Sequence, residues 1–173
     1  MNEQSVESCA PSPDVRLVGV TFAHCALVAR LHGLCFEEGW NSGTVAQVLR
    51  LAGAFGLIAT VPERPGTGGI NPNERMPAGF ALSAGTLDER ELLSLGVAPA
   101  YRKRGIAGAL IRGVVDRVRA EGVKKLFLEV AEDNADARQL YESFGFRQIG
   151  TRPNYYRRRG EPAVDAMTLA MIL

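Results

Sequence analysis

Between Ile106 and Glu121 the apolar residues Ile106, Leu110, Val114 and Val118 recur every four positions, and Ile111 and Val115 widen the stripe. Arg112, Asp116, Arg117 and Arg119 fall on the other faces, which predicts an amphipathic helix closed by Gly122. A further helix is expected from an Asn134 N-cap to Phe144, closed by Gly145. Two more precede these. One is capped by Thr21 and carries Ala23, Leu27, Val28 and Leu31; the other is short, capped by Ser42 or Thr44, and carries Val45, Val48 and Leu49. Strand patterns occupy 15–20, 55–61, 78–84, 91–97, 124–130, 146–149 and 166–173. In the 124–130 strand Leu126, Leu128 and Val130 point one way, and Phe127 and Glu129 the other. Residues 62–77 are rich in Pro, Gly and Asn and read as a long loop, and residues 1–13 as a disordered tail. The pattern predicts one α/β domain over 14–173, a mixed sheet with helices on both faces.

Composition narrows the function classes. A 173-residue chain with 46% hydrophobic and 23% charged residues is that of an ordinary soluble domain with enough length for a real core. A net charge of +1 gives no case for a nucleic-acid partner. Basic residues nevertheless cluster at 102–104 and 157–159, each an anion site or a solvated face. Cys9, Cys25 and Cys35 form a sparse, odd set, expected as reduced thiols in the cytoplasm. His32-x-x-Cys35 has no second ligand pair at zinc spacing, so no metal is expected. Neither a signal peptide nor a membrane span is expected.

The chemistry-bearing segment is Arg102-Lys103-Arg104-Gly105-Ile106-Ala107. It lies between an apolar strand and the start of the best-supported helix. Backbone N–H groups at a helix start lack intrahelical partners and carry partial positive charge, so they attract phosphate. Gly105 lets the backbone approach an anion, and Arg102, Lys103 and Arg104 add attraction.

These residues carry a family resemblance. Leu95-Gly96-Val97-Ala98-Pro99-x-x-Arg102-x-x-Gly105-x-Ala107 resembles the acetyl-CoA motif of the GCN5-related N-acetyltransferases. Leu128-Glu129-Val130, Asn134-x-x-Ala137 and Leu140-Tyr141-x-x-x-Gly145-Phe146 follow in the family's order. His32-x-x-Cys35-Phe36, Trp40, Tyr155-Tyr156 and Asp165-Ala166 resemble its RimI-like branch, the ribosomal-protein-alanine N-acetyltransferases. Two departures stand out: the 62–77 loop looks longer than the family's usual turn, and Gly96 replaces a common Ala, a change expected to be silent. The resemblance implies a mostly antiparallel, twisted sheet of about six or seven strands with about four helices, acting as a monomer or weak homodimer. It also implies acetyl-CoA as cosubstrate and a protein N-terminal α-amine as acceptor, that of a ribosomal protein with N-terminal Ala. A small-molecule amine as acceptor, or a non-catalytic acetyl-CoA sensor, are the alternatives.

Residue roles follow from the same resemblance. Backbone groups of Leu95 and Val97 would pair with the pantetheine amides, and a backbone N–H near Val97 would stabilise the oxyanion. The N–H groups of Arg102, Lys103, Arg104, Gly105, Ile106 and Ala107 would hold the pyrophosphate, and Asn134 would touch the cofactor arm. A peptide α-amine has a pKa of about 8, so about a tenth is neutral at pH 7 and a base need only take one proton. Glu129 would be that base, or else a solvent-facing strand carboxylate or the partner of an Arg. Tyr141 would protonate the departing thiolate, or else pack in the core with Ala137 and Phe144. Tyr155 and Tyr156 would shape a peptide cleft, or else sit on a surface hairpin; Trp40 and Phe36 would line the acceptor entrance, or else pack.

Overall fold

The computed structural model describes residues 14–62, 75–157, 160 and 162–173; the expected tail at 1–13 and residues 63–74 of the expected loop lie outside them. In chain order the elements are β1 (Arg16–Gly19), a 3-10 turn (Phe22–His24), α1 (Cys25–Cys35), α2 (Ser42–Val48), β2 (Phe55–Pro62), β3 (Arg75–Gly85) and β4 (Glu89–Val97). There follow α3 (Ile106–Ala120), β5 (Lys125–Ala131), α4 (Ala135–Ser143), β6 (Arg147–Tyr156) and β7 (Val164–Ile172). The strands form one seven-stranded sheet in the order β1-β2-β3-β4-β5-β7-β6. Every neighbouring pair is antiparallel except β4 and β5.

Two apolar cores cover the two faces of the sheet. The α3 stripe Ile106, Leu110, Ile111, Val114, Val115 and Val118 is buried against Ala81, Leu92, Leu126, Leu128 and Leu169. On the opposite face Val28, Leu31 and Val45 of α1 and α2 pack against Ile58, Phe80 and Leu82. Each fully buried aliphatic side chain contributes about 1.5–3 kcal/mol, and these two layers fix the sheet between them.

Several boundaries differ from the sequence pattern. Thr21 caps the 3-10 turn rather than α1 itself. Asn41, not Ser42 or Thr44, is the N-cap of α2: its Oδ1 accepts the Thr44 N–H at 2.9 Å. The expected 62–77 loop is trimmed at both ends, because Pro62 pairs with Arg75, Val61 with Met76 and Thr60 with Pro77. Arg75 anchors that extension, donating to Asp14, to the Thr60 carbonyl and to the Thr60 hydroxyl. The short strand expected at 146–149 runs on to Tyr156. Pro153 is tolerated there because β6 is the edge of the sheet and breaks register between Arg152 and Tyr156.

The feature that positions the site is the parting of β4 and β5. Their parallel pairing covers only Glu89–Lys125, Arg90–Leu126 and Glu91–Phe127. Beyond Glu91 the strands separate, although β4 stays paired with β3 and β5 with β7. A bulge lies at the point of separation. The β3–β4 register shifts between Leu82 and Ser83, leaving Leu93 as the extra residue, and the buried Ser83 hydroxyl donates to the Glu91 carbonyl at 2.7 Å.

Candidate active site

Register decides which backbone groups face the gap. The Ala98 N–H donates to the Ala78 carbonyl, which makes Gly79–Val97 a non-hydrogen-bonded pair. By alternation Gly96 and Ser94 bond to β3, while Val97 and Leu95 turn their N–H and C=O groups into the gap. The β5 side has the same logic with a different outcome. The Glu132 N–H donates to the Asp165 carbonyl, so Glu129 and Ala131 also face the gap, but their carbonyls are taken. The Tyr156 hydroxyl donates to the Glu129 carbonyl at 3.2 Å, and the Asn134 N–H to the Ala131 carbonyl at 2.9 Å. The gap therefore has one open wall, β4, and one capped wall, β5.

The basic turn sits at the wide end of the gap. Lys103 at φ 58 and Gly105 at φ 74 both adopt the left-handed conformation, Gly105 as N-cap of α3. Such alternation turns successive N–H groups toward one point and makes an anion nest. A left-handed Lys is itself a strained position of the kind that gathers at functional sites. The three cations are spread: Arg102 Nε donates to the Val97 carbonyl at 3.1 Å, Lys103 pairs with Asp136, and Arg104 donates to the Ala100 carbonyl at 3.0 Å. Asp136 lies in the first turn of α4, so its pair with Lys103 ties the turn to the helix that Asn134 caps. The Asn134 Oδ1 is used in capping, accepting the Ala137 N–H at 3.2 Å.

Gly96 is not silent. A Cβ there would lie 2.8 Å from both Cys35 Sγ and Phe80 Cε1, so the glycine makes room for Cys35 against β4. Burial raises the Cys35 thiol pKa, with Arg102 opposing.

Toward the narrow end lie side chains of three strands, β4, β5 and β6, with Tyr141 of α4 in the core behind them. Glu129 projects from β5 on the face opposite buried Leu128 and Val130, and its Oε1 accepts from Arg152 at 2.8 Å. The Arg152 guanidinium also lies 4.4 Å from the centre of the Tyr155 ring, which meets Tyr156 edge-on at 5.1 Å. Burial first, then Tyr155, Glu129 and Glu91, push the Tyr156 phenol up to about 12. Tyr141 is buried on α4, edge-on to Phe146, and burial followed by Tyr156 pushes its phenol up to about 12. All three phenols are neutral donors at neutral pH, since burial raises Tyr155 as well.

The structure thus gathers Glu129, Tyr155 and Tyr156 at one end of the gap and the 102–107 turn, Asn134, Leu95 and Val97 along it, and it packs Tyr141 in the α3-side core with Leu128 and Val130, within electrostatic reach of Tyr156. Trp40 is half-buried among α1 and α2, stacked on His32 at 4.7 Å, and its backbone N–H donates to His32 Nδ1 at 3.2 Å. Burial lowers the His32 pKa, as suits a neutral acceptor.

Three residues escaped the sequence reading: Ser83, Glu91 and Arg152. Glu91 shares the β5-facing register with Phe127 and so projects on the same face as Glu129. Its carboxyl is pushed above the usual range by burial, then by the charge of Glu129, with Arg152 opposing. The available signal was a glutamate next to Leu92 at the start of the strand expected at 91–97.

Residues 27–146 match the family model described as "Acetyltransferase (GNAT) family". The [Ribosomal protein bS18]-alanine N-acetyltransferase of Escherichia coli K12 is 38% identical over 104 residues, 60% of this chain and 66% of that protein. The N-alpha-acetyltransferase RimI of Mycobacterium tuberculosis is 45% identical over 81 residues, 47% of this chain and 48% of its own. The chain thus matches less than two thirds of the length of these curated relatives. In structure, the Escherichia coli ribosomal-protein-S18-alanine N-acetyltransferase superposes with a TM-score of 0.75 at 26% identity, covering 91% of this chain and 93% of that one.

Proposed function

The chain belongs to the acetyltransferase (GNAT) family, and we propose that residues 14–173 act as one catalytic unit, an acetyl-CoA-dependent N-acetyltransferase of protein N-terminal α-amines. The observation that carries the reading is the asymmetric gap: β4 leaves the N–H and C=O groups of Leu95 and the N–H of Val97 open, while β5 is capped by Tyr156 and Asn134. The two amides of a pantetheine arm fit that open edge as an added strand. The nest at 102–107 fits a pyrophosphate, and its three cations offset the charge.

Held this way, the thioester reaches the narrow end, where the carboxylates and phenols lie. Acetyl transfer forms a bond from the amine nitrogen to the acetyl carbon and breaks the carbon–sulfur bond. One proton leaves the amine for a carboxylate, and the departing thiolate needs a donor. Glu129 is the base that the family resemblance implies. The Tyr141 phenol, at about 12, is a weaker acid than a thiol of about 8.5, so its contribution is a hydrogen bond to the departing sulfur rather than full protonation. Attack is direct, in a ternary complex.

The acceptor proposed is the α-amine of a ribosomal protein with N-terminal Ala, the class on which the bS18-alanine relatives act by name, and the reaction is placed in the cytoplasm. The test is incubation with acetyl-CoA and paired peptides, one with a free α-amine and no lysine, one with a blocked α-amine and a lysine, read by mass spectrometry. Acetyl is expected on the α-amine, fastest with Ala first. Acetylation confined to small-molecule amines overturns the protein acceptor. Tight acetyl-CoA binding with no transfer to any amine indicates a sensor.

A further inference from the structure

Three consecutive functions of β6 converge on Glu129 in a way that a regular strand forbids. Side chains along a strand alternate between its faces, so Tyr155 should point away from Arg152 and Tyr156. Instead Arg152 pairs with Glu129 Oε1 at 2.8 Å and stacks on the Tyr155 ring at 4.4 Å. The Tyr155 and Tyr156 rings meet edge-on at 5.1 Å, and the Tyr156 hydroxyl donates to the Glu129 carbonyl at 3.2 Å. The register explains the exception. Arg152 pairs with Ala166 and Tyr156 with Val164, so β6 takes four steps where β7 takes two. The extra residues bulge outward and re-aim the side chains that flank them.

The bulge turns on Asn154, whose φ is 53. A residue with a Cβ holds that left-handed conformation only where its surroundings favour it. Here they do so through the β7 residue opposite the bulge. Asp165 stands between Val164 and Ala166, and its Oδ1 accepts the Asn154 N–H at 2.8 Å. The Asp165 carbonyl has a second partner, the Glu132 N–H at 3.0 Å, in the turn that leads from β5 to Asn134. One residue therefore joins the bulge, by its side chain, to the turn beside the donor gap, by its backbone.

We propose that Asp165 is a positioning residue for the acceptor: its carboxylate holds the Asn154 bulge, and the bulge aims Arg152, Tyr155 and Tyr156 together at Glu129. Asp165 acts through these side chains and on no reacting atom. A carboxylate accepting a backbone N–H makes a charge-assisted bond, stronger than the neutral bond an amide oxygen would give. The inference rests on the acetyl-transfer reading above and deepens it, because it names what sets the geometry of the acceptor side.

The test is steady-state kinetics with an Ala-leading peptide, with acetyl-CoA Kd measured by calorimetry, in the wild type and in Asp165→Ala, Asp165→Asn, Asn154→Gly and Asp165→Ala combined with Asn154→Gly. Asp165→Ala removes the side-chain bond and keeps the backbone tie to Glu132. It should raise the peptide KM about tenfold, change kcat by less than about threefold and leave the acetyl-CoA Kd unchanged. Asp165→Asn should recover most of the loss, since its amide oxygen still accepts. Glycine adopts positive φ without penalty, so Asn154→Gly should recover part of the loss in the double variant. A readout without turnover is hydrogen exchange at the Asn154 amide, which should speed up by about tenfold in Asp165→Ala. Should Asp165→Ala fail to fold, Asn154→Val leaves Asp165 in place and should raise the peptide KM through backbone conformation alone; an unchanged KM there overturns the proposal. So does an unchanged peptide KM in a folded Asp165→Ala, or a loss shared equally by peptide KM and acetyl-CoA Kd, which marks a merely structural role. Either result with intact wild-type transfer defeats this inference alone; no wild-type transfer to any amine defeats the acetyl-transfer reading and this inference with it.

Discussion

The donor side and the acceptor side of the gap are built by opposite means. The donor side uses backbone: the free edge at Leu95 and Val97 and the nest at 102–107, all within thirteen consecutive residues. The acceptor side uses side chains: Glu91 from β4, Glu129 from β5, Tyr141 from α4, and Arg152, Tyr155 and Tyr156 from β6. Backbone recognition needs a particular path of the chain, so a few glycines and one bulge define it. Side-chain recognition needs distant strands in register, so it exists only once the sheet has formed. Under the proposed function, the donor side should tolerate changes of side chain and the acceptor side should set specificity.

The two sides should fail separately. The largest effect is expected from Glu129→Gln, which should reduce kcat by about 100-fold while calorimetry shows acetyl-CoA affinity within twofold of wild type. Next comes Gly96→Ala, which forces a Cβ against Cys35 Sγ and Phe80 and should destabilise the fold by about 1–3 kcal/mol in urea unfolding. Cys35→Ala should recover most of that loss, since the two share one space. Gly105→Val acts only through conformation, because a Cβ there meets nothing within 4 Å. The left-handed backbone costs a non-glycine residue about 1–2 kcal/mol. The Kd for acetyl-CoA should rise about tenfold, with kcat at saturation unchanged. The smallest effect is that of Arg152→Met. Arg152 opposes the rise at Glu91, so its removal should move the Glu91 titration, followed by carbon-13 NMR, to still higher pH.

The same division explains what was legible in the sequence. The α3 stripe, the Gly122 closure and the 102–107 turn are local patterns, and each stands where its spacing places it. Glu129 and Tyr141 were visible through motif order; Glu129 stands in the gap-facing register of β5, and Tyr141 is packed in the core from α4. Glu91, Ser83 and Arg152 were not visible, because their roles come from pairing across strands and from a bulge that sequence periodicity does not mark. Gly96 was misjudged for the same reason, since its neighbour Cys35 lies some sixty residues earlier on α1. The extent of β6 was hidden by Pro153, which reads as a strand breaker until the strand is known to be an edge.

The central claim is that the donor binds as an added strand on the open β4 edge. Amide hydrogen exchange at single-residue resolution, with and without acetyl-CoA, tests it most directly. At ligand near 100 times Kd, the Leu95 and Val97 amides should slow by up to about 100-fold. Ser94 and Gly96, already bonded to β3, should change far less. Protection appearing along β5 with Leu95 and Val97 unaffected would contradict the account.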